Sequence, residues 1–93
     1  MELNELRLRI DAVDAQLTEL LTQRMDIAQE IGLWKREHGL PVLDARREQE
    51  KLDAICKTAR DDMAQDLRTI YSLLFELSRA RQDAIVNSDP GGV

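Results

Sequence analysis

Four polar side chains interrupt what would otherwise be apolar helical faces: Arg24, Glu48, Ser78 and Gln82. Arg24 stands in a seam of Leu3, Leu6, Ile10, Val13, Leu17, Leu20, Ile27, Ile31 and Trp34, which recur at alternating steps of three and four. A guanidinium on a buried seam must be paired or must bind something, because an unpaired buried charge costs several kcal/mol or more. Lys35 lies close to three whole turns after Arg24, so both project from one face and bracket a length of about 16 Å. Long side chains can close that length from both ends onto one small anion.

Each residue also has a structural explanation. Arg24 could form an ion pair or snorkel to solvent, and Glu48 could oppose a helix dipole. Ser78 could bond back to its own helix, and Gln82 could sit at a core edge. Together they converge, since all three expected helices carry polar groups on faces that should meet. Convergent polar groups in an apolar interior are the usual form of a small-molecule site. Arg7 is a separate case, about 25 Å before Arg24 along the same helix and roughly a quarter turn off its face. Only a second, antiparallel copy of the chain could bring it to the same ligand.

Covalent and metal chemistry find little support. The one histidine, His38, falls at an expected helix end and reads as a capping residue. The one cysteine, Cys56, lies on an apolar stripe and reads as core. One His and one Cys make no zinc constellation, and no Gly-rich phosphate loop occurs. A reaction at this site should rest on binding and electrostatics.

The elements that would position these groups are helices. The first should run from Leu3 or Asn4 to about Glu37, where His38 and Gly39 offer a C-cap and Pro41 forbids resumption. Such a rod is roughly 50 Å long, whereas a compact chain of this length has a radius of gyration of about 12 Å. Its seam therefore needs a partner, and a homodimer using the seam twice is the economical answer. Asp44 should cap a second helix reaching about Ala59, with Leu52, Ile55, Cys56 and Ala59 on one face. Asp62 and Gln65 resemble a capping box for a third helix that extends to roughly Val86 and carries Tyr71, Leu74, Ser78, Gln82 and Ile85 in line. Residues 1–86 are thus expected to form one all-α domain of one long and two shorter helices, and residues 87–93 a disordered tail.

Composition agrees. The chain has 93 residues, 43% of them hydrophobic, with four glycines and two prolines, as a small helical domain should. Its formal net charge of −5 and three aromatic residues argue against nucleic acid as a partner. There is no run of roughly 18 apolar residues to span a membrane, and the single cysteine points to a reduced, cytoplasmic setting.

The ordered set Leu6-Arg7, Ile10, Asp14, Leu20-Leu21, Arg24, Gly32, Lys35, Pro41-Val42, Asp44, Arg47-Glu48, Ser78 and Gln82 resembles the all-helical class of chorismate mutases, over residues 6 to about 85. The resemblance implies an intertwined homodimer with two equivalent sites. The implied reaction is the Claisen rearrangement of chorismate to prephenate on the route to phenylalanine and tyrosine, without a cofactor. Arg24 and Arg7 of the partner subunit should hold the two substrate carboxylates. Lys35 and Gln82 should donate to the ether oxygen, and Glu48 with the backbone at Asp44 should take the ring hydroxyl. Ser78 should contact a carboxylate, and Arg47 should line the site. A lyase of the same fold that eliminates pyruvate from isochorismate is the alternative enzyme. A non-catalytic dimerisation or regulatory module is the alternative outside catalysis, and it would pair the seam charges internally.

Overall fold

A 36-residue helix, α1 (Leu3–His38), dominates the molecule. The protein is described by a computed structural model covering residues 2–88; the expected tail lies outside the described residues from position 89 onward. Helix α1 is followed by α2 (Ala45–Thr58), a single 3-10 turn at Asp61–Met63, and α3 (Ala64–Val86), so the architecture is all-α as expected. No helix among the described residues is long and apolar enough to cross a membrane.

The ends of α1 and α2 follow their local chemistry. Gly39 adopts φ 64°, a left-handed conformation that costs glycine no Cβ clash. The Gly39 and Leu40 amides then return to the carbonyls of Arg36 and Lys35, taking up two otherwise orphaned acceptors. His38 acts at this terminus as the sequence implies, with Nδ1 2.8 Å from the Trp34 carbonyl and its ring stacked on that of Trp34. At the start of α2, the Asp44 carboxylate accepts from the Arg47 amide at 3.0 Å.

The start of α3 differs from expectation. The capping box of Asp62 and Gln65 does not form: α3 has Met63 at its N-cap with no side-chain hydrogen bond. Asp62 is instead gripped by the Arg60 guanidinium two residues earlier, at 3.0 and 3.1 Å. A nearby fork of donors outcompetes a single amide for the carboxylate.

The C-terminal half of α1 and the C-terminal half of α3 run in the same direction, since Arg24 meets Ser78, Lys35 meets Gln82 and Arg36 meets Ile85. Gly32 makes this approach possible, for a Cβ built there would stand 3.1 Å from the Gln82 Cα. Gly32→Ala should therefore lower the thermal midpoint. Forcing the helices apart costs about 1–3 kcal/mol, against a gain of about 1 kcal/mol in helix propensity. A raised midpoint by circular dichroism would contradict the close packing.

The N-terminal half of α1 is left exposed to solvent. Residues 3–20 are exposed throughout, and every apolar member of the seam, from Leu6 at 41% to Ile10 at 62%, is exposed. Among the described residues only Ala28 and Phe75 are buried apolar side chains. The radius of gyration, 17.0 Å, and extents of 57 × 30 × 14 Å belong to a rod with a partial flank.

Candidate active site

Between α1, α2 and α3 lies a cavity of about 460 Å³, within the usual size of a small-molecule site. Seven of the residues singled out from sequence line it: Arg24, Lys35, Asp44, Arg47, Glu48, Ser78 and Gln82. Arg7 does not; it sits on the exposed half of α1. The apolar walls come from Ile27, Ala28, Ile31, Val42 and Phe75.

Lys35 and Gln82 form one unit. The Lys35 ammonium donates to the Val42 carbonyl at 2.7 Å and to Gln82 Oε1 at 2.9 Å. An ammonium can only donate, so this contact fixes the Gln82 amide with its oxygen toward Lys35. The Gln82 NH₂ group and the third Lys35 proton remain for a ligand. Gln82 is 7% exposed, so its amide has little access to water other than through the cavity.

Arg24 is held from two sides. Its Nη1 donates to the Ser78 hydroxyl at 2.7 Å, and its guanidinium carbon lies 5.7 Å from the ring centroids of both Tyr71 and Phe75. Aromatic faces favour a cation at that distance, and Ser78 uses only one of the five guanidinium N–H groups. The rest of the planar fork can meet a carboxylate side by side. Ser78 therefore serves Arg24 rather than its own helix.

Sequence reasoning missed Arg79 and Lys51, which also line the cavity. Arg79 Nη1 donates to both oxygens of Glu48, a pair only 31% and 25% exposed. A signal was available: Arg79 precedes Gln82 by three residues, so the two are neighbours on one helical face. With these additions the lining holds five cations, Arg24, Lys35, Arg47, Lys51 and Arg79, against two anions, Asp44 and Glu48. In a protein of net charge −5, this concentration of positive charge marks a site for an anion.

The sequence model of the chorismate mutases of type II matches residues 6–83, a span that contains every residue lining this cleft. The chain belongs to this family, an isomerase family, and its fold, class of reaction and place in aromatic amino-acid biosynthesis agree with the sequence expectation. It is 27% identical over 84 residues to the chorismate mutase of Methanocaldococcus jannaschii, covering 87% of this chain and 84% of that protein. It is 32% identical over 88 residues to the 4-amino-4-deoxychorismate mutase of Streptomyces pristinaespiralis, covering 91% of this chain and 68% of that protein. It is also 36% identical over 52 residues to the T-protein of Haemophilus influenzae, covering 56% of this chain but only 14% of that protein. No solved structure gives a significant match.

Proposed function

We propose that this chain, with residues 1–86 as the catalytic domain, rearranges chorismate to prephenate in the cytoplasm as a homodimer, each cleft being completed by Arg7 of the partner subunit. The observation that carries the reading is the Lys35–Gln82 unit, which fixes two donors at one point of a cationic cleft. In this pericyclic reaction a C–O bond breaks while a C–C bond forms, and negative charge grows on the ether oxygen with no proton transfer required. Lys35 and Gln82 stabilise that oxygen where the charge develops. Arg24 and Arg7 of the partner subunit hold the two carboxylates so that the extended substrate adopts its reactive chair-like geometry. Glu48 and the Asp44 backbone take the ring hydroxyl, Ser78 steadies the Arg24 end, and Arg47 lines the ring end.

Surface area supports the dimer. The isolated chain exposes 7315 Å², whereas a compact chain of 10.7 kDa exposes about 5,500 Å². The excess over two copies, on the order of 3,600 Å², lies in the range of obligate dimer interfaces. The exposed α1 seam contributes apolar surface for such an interface. The cytoplasmic placement is supported by the single cysteine, Cys56.

Incubating the purified chain with chorismate tests the reading. Loss of chorismate absorbance with formation of prephenate is expected. Release of pyruvate when isochorismate is supplied in its place would favour the lyase, and no turnover of either would favour the non-catalytic module.

The donor role of Gln82 has its own signature. Gln82→Glu should be active chiefly at low pH, because only the protonated carboxyl can donate to the ether oxygen, while the carboxylate repels it. A glutamate titrates ordinarily near 4.3, so kcat/KM of the variant should rise about tenfold or more from pH 7.5 to pH 5 as the neutral form gains population. A profile for Gln82→Glu as flat as that of the unmodified protein would remove Gln82 from this role.

A further inference from the structure

The acid expected to meet the substrate's ring hydroxyl is already engaged, for Arg79 donates to both carboxylate oxygens of Glu48. The other acid at this end, Asp44, has one oxygen committed to the Arg47 amide that begins α2. Arg47 and Lys51 line the same cavity. At the ring end of the cleft, then, Glu48 is ion-paired, Asp44 is tied to a helix amide, and the lining carries more cations than anions.

We propose that Arg79 is a specificity-determining residue, one that neutralises Glu48 so that the site accepts a substrate with a hydroxyl at ring carbon 4 and rejects one with an amine there. The proposal rests on the mutase reading above. An alkyl amine is protonated near neutral pH, and an ammonium placed against Glu48 would compete with Arg79 for the same oxygens while facing Arg47 and Lys51. A neutral hydroxyl brings no charge and can still donate to a lone pair that Arg79 leaves open, since each carboxylate oxygen can accept more than one hydrogen bond. Discrimination comes from the repulsive element, as specificity often does. Without Arg79, Glu48 becomes an open carboxylate, and a charge-assisted bond to the ammonium becomes available.

The test compares kcat/KM for chorismate and for 4-amino-4-deoxychorismate. The unmodified protein should prefer chorismate. Arg79→Met should shift the ratio of the two values toward the amino substrate by about tenfold or more, and Arg79→Lys should restore part of the preference. Glu48→Gln should move the ratio the other way, because it leaves Arg79 as an uncompensated cation; it keeps the proposal testable if Arg79→Met does not fold. Helical circular dichroism checks each variant. Equal losses on both substrates in Arg79→Met, with the ratio unmoved, would overturn the role of Arg79 alone. Absence of turnover of either substrate by the unmodified protein would overturn the mutase reading and this proposal with it.

Discussion

Lys35→Ala should lower kcat/KM for chorismate by about a thousandfold, the upper end of the loss for removing one preorganised donor, while helical circular dichroism should stay that of the unmodified protein. The effect should be this large because Lys35 does three things at once. In the proposed mechanism it supplies a charge opposite the developing oxyanion; it also fixes the Gln82 amide through Oε1 and ties the segment after α1 through the Val42 carbonyl. Its removal frees the Gln82 amide to turn, so the second donor is weakened along with the first. The loss should fall mainly on kcat, since these contacts strengthen as the bond breaks. A loss under about tenfold, or one confined to KM, would mean that Lys35 only binds.

Arg7→Ala should cost about a hundredfold or more in kcat/KM, as expected for losing a carboxylate fork that orients the substrate. Nothing in a single chain accounts for such a loss, because Arg7 lies on the exposed half of α1, outside the cleft. A surface substitution of this kind normally changes stability by less than about 0.5 kcal/mol. A large catalytic effect with an unchanged thermal midpoint would therefore locate Arg7 at a site in another copy. Activity within about twofold of the unmodified value would remove Arg7 from the site.

The helices were legible in the sequence because their signals are local. The three-and-four seam runs from Leu3 to Trp34 with Arg24 as its polar interruption, Gly39 and Pro41 terminate it, and Asp44 caps α2 through the amide three residues on. The polar residues on the helical faces were legible for the same reason, as breaks in a period. The start of α3 was misread because Arg60 lies close enough to take the Asp62 carboxylate before any amide can. Arg79 escaped because its partner, Glu48, is 31 residues away, and an arginine beside Ser78 reads as a solvated neighbour until α2 and α3 are placed together. The closeness of α1 and α3 at Gly32 is likewise a tertiary fact, visible only once Gln82 stands opposite. The seam's exposure is the observation on which the proposed homodimer rests.

Mixing and refolding Arg7→Ala with Lys35→Ala tests the shared site most directly. Each homodimer has two damaged sites, but a heterodimer combines both lesions in one site and leaves the other intact. Random pairing at equal amounts should therefore recover about a quarter of the activity of the unmodified protein, from two nearly inactive parents. No recovery, with subunit exchange demonstrated by mass or by a tag, would contradict the account.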